Sequence, residues 1–321
     1  MAARYGAEAT GTGGTGPSGG TGREPCRRRA RPVPVPAGTI ALAMSINATY
    51  TSLVAVGDSF TEGMSDQLPD GSYRGWADLL AARLATRAPG FRYANLAVRG
   101  KLIEQIVREQ AGPAAKMGAD VVTLVGGLND TLRPQCDMGR VRGLLEEAVE
   151  TLAPSCKQLV LMRSPGRQGP VFDRFRPRME ALFACIDELA SRHGALVIDL
   201  YGSAALGDQR MWGVDRLHLT DEGHRRVAEA VWQGLGQAAE DDWTSPLPAP
   251  VPPSWLRRRV ADVSFTRAHL LPWIGRRLTG RSSGDGRSGA HFSPEHGEGF
   301  WITPADPANP GPVTGWRRLE P

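Results

Sequence analysis

The stretch VAVGDSFTEG, Val54–Gly63, runs from apolar residues into a Gly-Asp-Ser turn, with a second glycine soon after. A buried strand that stops at glycine and serine is either an ordinary turn or a place where a hydroxyl is held out for chemistry. What surrounds it in the sequence decides between the two.

Five β-rich runs can be picked out: 52–57 (SLVAVG), 91–97 (FRYANLA), 120–126 (DVVTLVG), 158–163 (QLVLMR) and 195–200 (ALVIDL). Most are almost continuously apolar, as strands covered on both faces of a parallel sheet must be. Between them lie stretches with helical spacing at 74–88, 138–153, 174–194 and 220–238. The first places Trp76, Leu79, Leu80 and Leu84 on one face. The last opens with Thr220 as an N-cap and Asp221 and Glu222 in its first turn. Alternation of this kind predicts an open, doubly wound α/β domain over about residues 50–240. Ligands in such sheets bind beyond the carboxyl ends of the strands, and GDSFTEG sits at one of them.

Composition narrows the function. The net charge is +4. Residues 1–43 alone carry +4, and so do residues 251–321, which leaves −4 for residues 44–250. The basic character belongs to the ends, so the centre lacks the clustered positive face that nucleic acid requires. Cys26, Cys136, Cys156 and Cys185 form no C-x-x-C pair and read as reduced thiols. No run is apolar for the roughly 18 residues of a membrane helix. The segment RRRARPVPVPAGTIALA (27–43) imitates an export signal, but prolines interrupt it and a polar leader precedes it, so the expectation is cytoplasmic.

The domain expectations follow composition. Residues 1–43, rich in Gly, Pro and Arg, form a disordered extension. Residues 44–240 form the α/β domain. Residues 241–279 form a Pro-rich linker and a helical appendage, and 280–321 a disordered tail. In the appendage Trp255, Val260, Val263, Leu270, Leu271 and Trp273 make an apolar face. It is expected to pack on the domain, the alternative being a membrane-surface or partner helix.

Four stretches carry residues suited to acyl chemistry: GDSFTEG with Ser59, NLAVRG with Gly100, GGLND with Asn129, and DRLHLTDEGH with Asp215 and His218. A serine hydroxyl needs an adjacent base, histidine is the usual one, and a carboxylate on its other nitrogen fixes the tautomer. The oxyanion needs N–H donors. The backbone of Ser59 and Gly100 and the amide of Asn129 can supply them. Each piece taken alone is a common turn, cap or chance D-x-x-H. Their order and their places at strand ends join them.

In these four blocks the sequence resembles the SGNH/GDSL hydrolases, over about residues 52–238. Ser59 matches the serine of the G-D-S motif, Gly100 the glycine, Asn129 the asparagine of G-x-N-D, and Asp215 and His218 the D-x-x-H. Phe60 stands where the motif has leucine. The resemblance implies a three-layer α/β/α sandwich with a five-stranded parallel sheet, flavodoxin-like, and no metal or organic cofactor. It implies a serine esterase or acylhydrolase with Ser59, Asp215 and His218 catalytic and Ser59, Gly100 and Asn129 forming the oxyanion hole. A small-molecule ester is the expected partner, with neither nucleic acid nor stable membrane insertion. The alternatives are an acyltransferase using the same serine and a non-catalytic binding protein. A nucleotide binder is disfavoured because neither G-x-G-x-x-G nor a Walker loop follows a strand.

Other residues carry weaker expectations. Asp58 and Asp130 read as local hydrogen-bonding groups. His193 reads as a helix end. His224 falls within the last helix, and no Cys or carboxylate pattern completes a zinc site with it. Arg163, Arg167 and the arginines of 174–178 read as a solvated face, with an anionic substrate group as the alternative. The loop 164–175 reads as a pocket wall.

Overall fold

The computed structural model describes residues 48–66, 73–165, 173–249, 254–272, 275 and 317–318. The strands form where the apolar runs place them: β1 (Ser52–Gly57), β2 (Arg92–Asn95), β3 (Val121–Val125), β4 (Gln158–Arg163) and β5 (Leu196–Asp199). They pair in parallel in the order β5-β4-β3-β1-β2. Val54 lies between Ala94 of β2 and Val122 of β3. The order reverses direction between β1 and β3, and the crevice at such a reversal is where doubly wound sheets bind ligands.

Alternation along β1 builds two cores. Val54 and Val56 face a cluster with Ile103, Ile106, Leu145 and Leu182. Leu53 and Ala55 face another with Trp76, Leu80, Val227 and Val231. The first layer of helices holds α3 (Ile103–Ile106), α4 (Gly112–Met117), α6 (Met138–Leu152) and α7 (Arg176–His193), while α2 (Trp76–Ala85) and α9 (Asp221–Gly234) cover the opposite face. Short helical turns α1 (Ser59–Glu62), α5 (Leu128–Thr131) and α8 (Ala204–Gly207) follow β1, β3 and β5. The result is the three-layer sandwich expected.

Packing, rather than propensity, fixes the helices. α6 contains Gly139 and Gly143, each unfavourable by about 1 kcal/mol against alanine. Its buried face carries Val141, Leu145, Val149 and Leu152, each contributing about 1.5–3 kcal/mol on leaving water. Burial therefore wins. α9 begins as its sequence predicts, with the Thr220 side chain accepting from the Gly223 N–H, and it ends at Gly234, before the expected 238.

One crossover was not anticipated. Between β2 and β3 the chain forms α3, widens through a π turn at Val107–Ala111, and continues as α4. Pro113 falls in the first turn of α4, where its missing N–H costs least.

The ends also differ from expectation. Arg317–Arg318 forms a two-residue strand, β6, antiparallel to β2, using the backbone groups that an edge strand leaves open. The rest of 280–321, and residues 1–43, lie outside the described residues. Beyond α9, Trp243 and Leu247 pack on the second core, and Arg226 donates to the carbonyls of Trp243 and Ser245. Helix α10 (Trp255–Phe265) forms within the expected appendage, but Trp255, Val260, Val263 and Leu271 are exposed. Its Asp262 and Phe265 hold Arg216 instead, which turns the apolar residues away from the domain. The side chains of Leu270 and Trp273 lie outside the described residues. Among the described residues no helix is long and apolar enough to cross a membrane, and Cys136, Cys156 and Cys185 are free thiols.

Candidate active site

Ser59 is the first residue of α1, directly after β1. The Asp58 carboxylate caps this turn by accepting from the Phe60 N–H at 3.1 Å. A side chain at Gly57 would meet the Val125 carbonyl oxygen at 2.5 Å, so only glycine lets β1 and β3 come this close at the serine. Gly57 is further pinned by Gln110 of the π turn. Its amide accepts from the Gly57 N–H at 2.8 Å and donates to the Gly57 carbonyl at 3.0 Å. The unanticipated crossover thus holds the strand end in front of the serine. α1 closes at Gly63, φ +92, whose N–H returns to the Ser59 carbonyl. A methyl group there would lie 2.4 Å from the Gly75 nitrogen, so Gly63 and Gly75 are a close crossing of two backbones.

Three further loops are tied to this turn. Glu62 is buried in α1, and its carboxylate accepts from the Arg99 backbone N–H at 2.6 Å and from its Nε at 2.8 Å, with a further contact to Nη2. Arg99 also lies over the Tyr73 ring at 4.7 Å. Gly100, next in the chain, takes φ +73, a conformation glycine reaches without strain. Asn129 in α5 donates from its side-chain nitrogen to Asp58 Oδ2 at 2.9 Å and to the Lys101 carbonyl at 3.2 Å. Asp130 accepts from the Ile103 N–H at the start of α3, a structural role as expected. Burial pushes the Asp58 carboxyl up to about 6, against the Phe60 hydrogen bond and the nearby His218.

The last loop is closed on itself. Gly213 N–H donates to the His218 carbonyl and Arg216 N–H to the Gly213 carbonyl, both at 2.8 Å. Arg216 takes φ +52, a strained choice for a residue with a side chain. Asp215 Oδ1 accepts from the backbone N–H groups of Leu217 and His218, and Oδ2 lies 2.6 Å from His218 Nδ1. Burial would raise the Asp215 carboxyl, but the His218 and backbone hydrogen bonds outweigh it and carry it down to about 2. Ionised Asp215 therefore accepts a hydrogen bond from His218 Nδ1–H, which turns Nε2 into the nitrogen available as a base. A Cβ on Gly213 would lie 3.2 Å from Ser65 Oγ, so this loop sits against the one that follows α1.

His224 proves more than a helix position. Buried in α9, it accepts the Trp76 N–H on Nδ1 at 3.2 Å and meets the Met64 carbonyl with Nε2 at 3.1 Å. This requires the tautomer with hydrogen on Nε2. Burial lowers its pKa to about 4. It fastens the loop after α1 to the start of α2. Sequence shows only a histidine one turn into a helix, and nothing there signals a clamp. Gln110 and Glu62 escape sequence reading for the same reason, since their partners are backbone groups 53 and 37 residues away.

Three of the arginines at and after the end of β4, Arg163, Arg176 and Arg178, are held by groups of the protein, Arg176 by Asp173. Arg163 pairs with Asp187 and Asp199, and Arg178 donates to the carbonyls of Thr131 and Arg133. Arg167 and most of the loop expected as a pocket wall lie outside the described residues. His193 ends α7 before Gly194. Among the described residues no three His, Cys, Asp or Glu side chains converge as metal ligands.

A sequence-family model described as "GDSL-like Lipase/Acylhydrolase family" matches residues 55–226. No curated protein sequence matches the chain. Among solved structures, LAE5, an alpha/beta hydrolase enzyme from the metagenome of Lake Arreo, Spain, is 24% identical, with a TM-score of 0.50 over 58% of this chain and 95% of that one. A catalytic mutant of Axe2, an acetylxylan esterase from Geobacillus stearothermophilus, is 19% identical, with a TM-score of 0.51 over 60% and 95%. These likenesses support the fold.

Proposed function

This chain belongs to the GDSL-like lipase/acylhydrolase family and is a hydrolase of ester bonds, and on that premise we propose that it cleaves a carboxylic ester through Ser59, His218 and Asp215 by way of an acyl-enzyme. Ser59 Oγ attacks the ester carbonyl. His218 Nε2 takes the hydroxyl proton and returns it to the leaving alcohol. Asp215 holds the imidazole in the required tautomer and stabilises the imidazolium. Water, deprotonated by the same nitrogen, then releases the acid from Ser59.

The oxyanion is received by the Ser59 and Gly100 N–H groups and the Asn129 amide. In the free enzyme that amide already donates to Asp58 and Lys101. The longer bond, to the Lys101 carbonyl, is the one exchanged for the substrate oxygen. Asp58 keeps the other and aims the amide, rather than serving as the triad acid. Each such donor is worth about 3–4 kcal/mol in the transition state, which is why its orientation matters.

The observation that supports this reading most is the Asp215–His218 pair, with the carboxylate bonded to Nδ1 at 2.6 Å in a loop packed against the one that follows the Ser59 turn. The test is the initial rate on p-nitrophenyl esters from acetate to long chains, for the wild type and Ser59→Ala. The variant is expected to lose about 10⁴-fold or more in kcat with an unchanged melting temperature. Near-normal turnover by Ser59→Ala overturns the proposal.

A further inference from the structure

Helix α10 presents its apolar residues the wrong way round for a packed appendage. Its Asp262 binds Arg216 Nη2 at 2.6 Å, and its Phe265 ring lies 4.5 Å from the Arg216 guanidinium. Those two residues face the loop that carries Asp215 and His218. Val260 and Val263 fall on the other side and are 63% and 58% exposed. With Arg259, Ser264, Arg267 and Ala268 they line a shallow outward groove. Trp255 at the start of the helix is 74% exposed, and Leu271 beyond its end is 57% exposed. Apolar side chains left out along one side of a helix mark an interaction surface.

Charge says what covers it. Between Ser254 and Gly275 there are four arginines and one acid, Asp262, and that acid is already paired with Arg216. A second copy docked face to face would bring Arg259 and Arg267 against their own equivalents with no acid on this helix left to neutralise them. An anionic lipid surface suits the face on both counts. The valines enter the acyl boundary while Arg259 and Arg267 beside them meet phosphates. We propose that the Val260–Val263 face of α10, with Arg259 and Arg267 beside it, is an anionic-lipid docking surface.

The test is co-sedimentation of the full chain with phosphatidylcholine vesicles, with and without phosphatidylglycerol. The wild type is expected to pellet with the anionic vesicles and to stay in solution with the neutral ones. Val260→Asp/Val263→Asp and Arg259→Gln/Arg267→Gln are each expected to weaken binding roughly tenfold or more. Their hydrolysis of a water-soluble ester, or their melting temperature should the chain prove inactive on it, stays at the wild-type value, because these side chains are exposed and outside the catalytic machinery. Wild type that remains in solution with anionic vesicles overturns the proposal, as does undiminished binding by the Asp variant. Sedimentation velocity that finds a wild-type dimer abolished in the Asp variant, without vesicle binding, gives the face to a second copy and also overturns it.

Discussion

Removing His224 should change how stability responds to acid, and the change can be worked out from two buried groups. His224 titrates near 4 in the fold and at 6.5 when unfolded. Its neutral form is the one that bonds Trp76 and Met64, so its contribution is complete above pH 6.5 and is lost as pH falls towards 4. At about 1.4 kcal/mol per unit this amounts to about 3 kcal/mol. Asp58 works in the opposite sense. Its carboxyl titrates near 6 in the fold and at 3.8 when unfolded, so its contribution is complete below 3.8 and is lost as pH rises through 6, again by about 3 kcal/mol. Between about pH 4 and 6 the two slopes cancel in the wild type. In His224→Gln the Asp58 slope stands alone, and stability declines as pH rises across that window. The stability gap between the proteins should therefore widen by about 3 kcal/mol from pH 4 to 6.5. Urea unfolding followed by tryptophan fluorescence, at half-unit steps of pH, measures it. Only the change of the gap with pH is read, so any constant cost of the substitution drops out. A gap that is flat across the window refutes the reasoning.

Glu62→Gln should destabilise the protein by about 3 kcal/mol, because it leaves the Arg99 guanidinium partly buried without its counter-charge. The same variant should lower kcat by loosening the Gly100 loop, and unchanged values of both would remove Glu62 from its positioning role. Gln110→Ala strands the Gly57 N–H, while the Gly57 carbonyl keeps the Val98 N–H. The expected loss is about 1–3 kcal/mol, read from the urea midpoint. Gly63→Ala combines a left-handed backbone with the overlap at Gly75 and should cost about 3 kcal/mol or more. Gly118→Ala, also left-handed but with nothing within 4 Å of the added carbon, should cost about 1 kcal/mol. Equal losses from the two glycines would show that the backbone crossing carries no weight.

The strands were legible because each is apolar over nearly its whole length, which only a doubly covered sheet explains. Thr220 was legible as a cap because its signal lies within three residues of the helix start. The α3–α4 crossover was not read, since sequence periodicity has no symbol for the π turn that joins its two short helices. Of the candidate site, the chemistry-bearing residues stood out by type and order. The residues that hold them did not. Glu62, Gln110 and His224 act on backbone groups of distant loops, and a backbone N–H looks the same in every sequence. The appendage misled for a related reason. Its apolar stripe is plain in the sequence, but which way the stripe faces is decided by Arg216, 46 residues from its partner Asp262.

The turn from Asp58 to Met64 holds Arg99 through Glu62, Asn129 through Asp58, and α9 through the Met64 carbonyl and His224. That last link spans 160 residues. It imposes an order of events on the growing polypeptide. When the serine leaves the ribosome its turn lacks the group that fastens its far end, and that group is made only after four more strands have emerged. Until then a nascent chain holds the Ser59 hydroxyl in a loop with one end undone, and the histidine that completes the pair with Asp215 is made six residues before the clamp. Assembly of the candidate site is thus written into translation itself, with the Asp215–His218 pair and the final fastening of the turn made within six residues of each other.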